Sequence, residues 1–212
     1  MMKTEDLIGI LAADATPPAP LRPGRIATFG LVAMVVAVGL FLGLLGVRDG
    51  IAQAVLQVPV AAKTILPLVL CALIVPVALR QMRPGADGLR AMAMLAPLAV
   101  ALGLWVWAYV TLPAPVRFAD WMPSAIAECL GFILLLSLVP LGVVLAMMRQ
   151  GASTAPVRAG ALAGLAVGCG IAAGYSLFCT KDNPIFYVTF YGTAILLVSG
   201  LGALLGGRML RW

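Results

Sequence analysis

Six stretches of this chain are apolar for roughly the length a helix needs to cross a bilayer, and no other feature narrows its fold as much. A helix spans the hydrocarbon core with about 20 apolar residues. The qualifying stretches are Ile26–Gly46, Thr64–Leu79, Ala91–Thr111, Ser124–Met148, Ala159–Cys179 and Ile185–Gly207. The second is short and carries Pro67 and Pro76, kinks that spanning helices tolerate when neighbours satisfy the freed carbonyls. The expected fold is therefore all-α: a polytopic membrane protein with a bundle of six transmembrane helices over residues 26–207, an N-terminal amphipathic segment over 1–25 and a tail over 208–212. Of 212 residues, 63% are apolar and 10% charged, far from the roughly 25% charge of a soluble domain. The connections are too short to build a second core. The first residues lack the basic start, unbroken apolar run and cleavage site of a signal peptide, so none is expected.

A net charge of +6 would suggest nucleic acid in a soluble protein. Here the basic residues flank apolar runs, so they read as topology determinants and no direct nucleic-acid contact is expected. With both ends in the cytoplasm, that side collects ten: Lys3, Arg22, Arg25, Arg80, Arg83, Arg90, Arg149, Arg158, Arg208 and Arg211. The other side keeps four, Arg48, Lys63, Arg117 and Lys181. Trp105, Trp107, Tyr109, Trp121, Tyr187 and Tyr191 then fall near the outer interface, where amphipathic rings prefer to lie. Both termini are expected inside.

Glycines recur at four-residue spacing: Gly39 and Gly43; Gly160, Gly164 and Gly168; Gly170 and Gly174; Gly202 and Gly206. Such spacing lets backbones approach closely, so the first, fifth and sixth spans are expected to pack tightly. A homodimer is the less favoured use of the same pattern. Within the amino-terminal segment, Thr4 can cap a helix whose first turn carries Glu5 and Asp6. Leu7, Ile10 and Leu11 form one apolar stripe, and Asp14 with the prolines at 17, 18, 20 and 23 ends it in a stiff linker. Alone, about ten residues make a marginal helix in water, so the segment is expected to order on a surface. Lipid-bound amphipathic helices usually present a basic face. Glu5, Asp6 and Asp14 against Lys3 point instead to a protein groove. The alternative is a tail with no partner.

Four cysteines remain. Cys71 and Cys169 lie well inside spans, where a thiol serves as a small apolar residue. Cys129, near the outer end of the fourth span, and Cys179, at the outer end of the fifth, come to the same face of the membrane. Counted from Pro123, Cys129 lies roughly 9 Å along its helix, while Cys179 sits almost at the boundary. A disulfide needs Cα atoms within about 7 Å, and the sequence leaves open whether tilt closes that gap. Glu128 is the one acidic residue inside an expected span; it is either functional or an interfacial side chain reaching water. A carboxylate there would hinder thiolate formation yet help gather a thiophilic cation. Lys181 and Asp182 can pair with each other, and Lys181 can favour a Cys179 thiolate. The bland reading of that run is a solvated turn, with Asn183-Pro184 breaking the helix. Histidine is absent, as are a phosphate-binding glycine loop, a CxxC pair and a nucleophile with a partner base. No enzyme activity and no cofactor are expected.

These features occur together with MKTEDLIGILAADATP at the start, an EC pair in the fourth span, CTKDNPIF followed by FYG, and a closing GGRMLRW. In that order and over nearly the whole chain they resemble the NrsF-type negative regulators of sigma factor F. The resemblance implies an anti-sigma factor of the bacterial inner membrane that holds an ECF-type sigma factor inactive until oxidant or heavy-metal stress arrives. It further implies two outer-side sensor cysteines, which match Cys129 and Cys179 here. Where other members often carry histidine before the second cysteine, this chain has Phe178, so a ligand role for that neighbour does not transfer. The sigma-binding piece is expected in Glu5, Asp6, Leu7, Ile10, Leu11 and Asp14, and transient soft-metal binding at Cys129 and Cys179, since thiolates suit soft ions. Two rival classes are a membrane thiol-disulfide oxidoreductase and a small transporter. The first would want a second close thiol pair and a quinone site, and neither Cys71 nor Cys169 is expected to complete one. The second would want polar pathway residues that are missing.

Overall fold

The computed structural model describes residues 4–14, 22–82, 91–151 and 153–211. The side chains of Leu7, Ile10, Leu11 and Asp14, and the residues Lys3, Arg83 and Arg90, lie outside that set. Among the described residues the chain is helical, with no strand: α1 (Thr4–Asp14), α2 (Pro23–Leu45), α3 (Ile51–Ala54), α4 (Val58–Arg80), α5 (Ala91–Thr111), α6 (Ala114–Arg117), α7 (Pro123–Met148), α8 (Pro156–Tyr175) and α9 (Pro184–Met209). α2, α4, α5, α7, α8 and α9 are long and apolar enough to cross a membrane. Five of these six, all but α5, carry a proline in the first two helical positions. A proline there loses no helical hydrogen bond and presets φ. That start signal lies upstream of the first long apolar run, so each of these helices begins before the boundary expected from hydropathy.

Two boundaries differ enough to matter. The second span, expected at 64–79, is a helix over 58–80 that includes Lys63. The charge does not stop the helix because it is neutralised within the fold. The fifth span, expected to reach Cys179, ends as α8 at Tyr175, and Ser176–Phe178 form turns. Cys179 therefore stands in the connection and is not on a helix.

α8 is the centre of the bundle, with α9, α4, α7 and α2 all packed on it. Its glycines explain how it fits there. A Cβ on Gly160 would strike the Gly202 carbonyl and come within 2.8 Å of Gly206 Cα; one on Gly164 would strike the Val198 carbonyl and lie 2.9 Å from Ser199 Cα. α8 and α9 thus meet backbone to backbone, the close approach that small-residue spacing permits, and Ser199 Oγ donates to the Ala161 carbonyl across the seam at 3.0 Å. On another side of α8, Gly170 and Gly174 receive Met34 and Val38 of α2. The expected role of Gly39 and Gly43 does not hold within the monomer: nothing lies within 4 Å of a Cβ on either. α2 packs through Ile26, Gly30 and Phe41 instead, and Phe41 joins Phe132, Tyr175 and Phe178 in an aromatic cluster with centroids 5.1 to 6.2 Å apart. Tyr187 and Tyr191 are buried within the bundle, whereas Trp107, Tyr109 and Trp121 are exposed.

Overpacking of this kind costs about 1–3 kcal/mol. Gly160→Ala is expected to lower stability in detergent by that amount, because backbone cannot yield as a side-chain tip does. Gly39→Ala should stay within about 0.5 kcal/mol of wild type. Denaturation curves of the two variants in mixed micelles check the contrast.

Candidate functional site

The turn between α8 and α9 is built by short polar side chains. Ser176 Oγ donates to the Ala173 carbonyl at 2.6 Å and shares a 2.6 Å hydrogen bond with Thr64 Oγ1 of α4. Asn183 caps α9 by accepting from the Ile185 N–H at 3.0 Å, the ordinary use of Asn immediately before a proline-led helix. Its Nδ2 donates to the carbonyls of Val116 at 3.3 Å and Arg117 at 3.0 Å. Two cations then hold the turn from the other side. Lys63, wholly buried on α4, donates to the Cys179 carbonyl at 2.7 Å, the Lys181 carbonyl at 2.9 Å and Asp182 Oδ1 at 3.3 Å. Arg48, between α2 and α3, forks onto both Asp182 oxygens at 2.6 and 2.8 Å and reaches the Cys179 carbonyl at 3.2 Å. Its backbone N–H donates to the Leu177 carbonyl at 3.1 Å.

Both lone pairs of the Cys179 carbonyl are thus taken by cations, and an ammonium has three donors, all used here. The bidentate guanidinium pair is the stronger geometry for a carboxylate. Burial pushes the Asp182 carboxyl up, but the Arg48 hydrogen bond and the charges of Lys63 and Arg48 outweigh it, holding the group below its ordinary 3.8. The expected Lys181–Asp182 pair does not form. Lys181 reaches Asp120 at 3.1 Å, because the buried Lys63 and Arg48 claim Asp182 from the interior.

Cys179 is 5% exposed and Cys129 0%; both are free thiols within one buried cluster that also holds Tyr175 and Tyr191. Among the described residues no hydrogen bond of full geometry reaches the buried Tyr191 hydroxyl. Glu128 points away from this interior. It is exposed and lines a cavity of about 310 Å³ together with Arg48, Asp49, Tyr175, Phe178, Cys179 and Lys181, which makes that cavity the solvent-side approach to the second thiol. Among the described residues, no group of three or more His, Cys, Asp or Glu side chains is clustered to hold a metal. On α1, Glu5, Asp6 and Ile8 are exposed.

Two features escaped the sequence reading. Arg48 and Lys63 entered it only as charges on one side of the membrane. Their signal was there, since a lysine directly abutting an apolar run must find acceptors, but not which acceptors. Neither Cys71 nor Cys169 was expected to complete a second thiol pair; Cys71 of α4 comes against α8 at Gly170, the residue after Cys169, where a Cβ would stand 3.6 Å from the Cys71 sulfur. Both are buried.

Comparison with known proteins bears on this site as a whole. The family model NrsF, described as negative regulator of sigma F, matches residues 11–212. A protein named Probable anti-sigma-F factor NrsF from Azospira oryzae is 34% identical over 218 residues, covering all of both chains. The protein named Anti-sigma-F factor NrsF of Caulobacter vibrioides is 32% identical over 217 residues, again covering all of both. Both names are regulatory. No solved structure matches.

Asp182→Asn leaves two cations facing one another without their counter-charge. Breaking a buried pair costs about 3–5 kcal/mol; the lower end is expected here, because the Asp182 side chain keeps 29% of its surface exposed. The sign of the pH dependence follows from the lowered carboxyl. Its contribution is complete above the unfolded-state value near 3.8 and is lost as pH falls through the lower folded-state value. Unfolding midpoints in detergent should therefore drop for wild type below about pH 4, while Asp182→Asn should lack that component.

Proposed function

The chain belongs to the NrsF family of negative regulators of sigma F, and on that premise we propose that it holds an ECF-type sigma factor at the bacterial inner membrane and releases it when Cys129 and Cys179 are oxidised or bridged by a soft heavy metal. In this reading both termini face the cytoplasm, which the ten-to-four distribution of Lys and Arg supports. The amino-terminal helix, with Glu5, Asp6, Leu7, Ile10, Leu11 and Asp14, docks in a groove of the sigma factor and hides a surface needed for polymerase or promoter binding. Its acidic first turn, exposed at Glu5 and Asp6, favours a basic protein groove over an anionic lipid surface.

The observation that carries the sensor half is the burial of both thiols, one on the turn that Arg48 and Lys63 hold and one on α7, in a single cluster. A hydroperoxide that takes two electrons from the thiols leaves a disulfide, an alcohol and water. A soft divalent ion instead displaces two protons and binds two thiolates, with Glu128 at the cavity mouth to attract it. Either event changes a packed interior, where even small volume changes are felt. A swing from almost wholly bound to almost wholly free requires about 5.5 kcal/mol of differential stabilisation. The unfilled stripe at Gly39 and Gly43 on α2 is where a second copy would pack if the protein dimerises.

Pull-down from detergent extracts tests the first half: full-length protein recovers the sigma factor and a chain lacking residues 1–25 does not. Equal recovery by both removes the amino-terminal assignment. For the second half, Cys129→Ser,Cys179→Ser protein should keep its partner under peroxide or cadmium. Release at the wild-type level would remove the sensor assignment.

A further inference from the structure

We propose that Lys63 couples the Cys179 turn to α4, so that a chemical change at the thiol displaces a whole spanning helix and reaches the first turns of α2, from which the amino-terminal segment hangs. This rests on the sensor reading above and adds the route by which the signal travels.

The geometry behind it is one-sided. All three hydrogen bonds of the Lys63 ammonium go to residues 179–182, and its side chain is fully buried, at 0% exposure. A rearrangement that carries the turn away leaves a cation in an apolar interior with none of these acceptors, a state proteins avoid by moving the charge or its partners. Arg48 responds differently. It sits on a connection between helices and keeps 11% of its side chain exposed, so side-chain torsion lets it follow the turn. Lys63 is fixed to a 23-residue helix, and following the turn means moving that helix.

The far end of α4 is in contact with what must respond. Val75, Ala78 and Leu79 share a cavity of about 40 Å³ with Ile26, Ala27 and Gly30 of α2. One residue past the helix cap, Met82 is buried against the turn at Gly151, where a Cβ would come within 2.9 Å of the Met82 Cβ. The cavity offers room for α4 to shift against α2, and the Met82 contact gives the shift a stop. α4 also lies along α8, so the displacement has a rigid track. Intermediacy alone does not show coupling, and the element must have two arrangements whose balance the ligand changes. Lys63 supplies the differential interaction, since it is satisfied only when α4 and the turn keep their relation.

Hydrogen–deuterium exchange of the full chain in detergent, before and after methyl methanethiosulfonate, tests this. The reagent places a methylthio group on the thiol sulfur through a new S–S bond; methanesulfinate leaves, and the thiol proton goes to water. In wild type, exchange is expected to rise in the turn at 176–184 and also at 75–82 and 23–30. In Lys63→Met the rise should be confined to the turn, and Lys63→Arg, which keeps donors, should restore the distant rise. Cys179→Ser should show none of it. The proposal is overturned by a distant rise of equal size in Lys63→Met, by one that survives in Cys179→Ser, or by no rise beyond the turn in treated wild type, a result that holds even if Lys63→Met fails to fold. Sigma-factor affinity is read separately. Treatment should weaken wild-type binding by about tenfold, within the usual range for coupled sites, and Lys63→Met binding by less than about twofold. If the distant rise occurs while the sigma factor stays bound to wild type, the coupling stands and the release reading falls.

Discussion

A positive charge placed in an apolar bundle must be met by acceptors wherever it lies, and the whole Cys179 end of this protein is arranged around that demand. Lys63 takes the carbonyls of Cys179 and Lys181 and one oxygen of Asp182. Arg48 forks onto both Asp182 oxygens, sharing Oδ1 with Lys63, and takes the second lone pair of the Cys179 carbonyl. Asn183 and Lys181 then tie the same turn to the α5–α7 connection. Residues from the α2–α3 connection, α4 and the α5–α7 connection thereby converge on eight residues between α8 and α9. A turn held on so many sides is a fixed platform, and a thiol carried on it has a defined environment.

The rest of the bundle holds that platform steady. α8 and α9 meet through glycines with no side chain between their backbones, which makes them act as one unit. α2 and α4 pack on this unit through side chains, with Met34 and Val38 seated on Gly170 and Gly174. Side-chain contacts of this sort have alternatives that backbone contacts lack. Of these two helices, α2 leads to the amino-terminal segment and α4 carries the buried lysine.

Much of the fold was legible in the sequence and the site was legible only in part. The six spans follow from runs of apolar residues, and the tight α8–α9 seam from glycine spacing at Gly160, Gly164, Gly202 and Gly206. The same spacing at Gly39 and Gly43 did not become a seam, because close packing needs a facing small residue and α2 presents those two outward. The helix starts were readable too, had the prolines at 23, 59, 123, 156 and 184 been given more weight than hydropathy. Cys129 and Cys179 stood out by position. Lys63 did not, since a lysine bordering an apolar run looks like any flanking charge until its acceptors are known.

By itself the sequence determined a six-helix membrane protein and membership of a regulatory family, because apolar length and ordered motifs are properties of contiguous chain. Tertiary structure alone decided that Asp182 pairs with Arg48 and Lys63 in place of Lys181, and that both sensor candidates are enclosed. Those pairings join residues more than a hundred positions apart, and a buried charge chooses its partner by which surfaces the packed helices bring within reach.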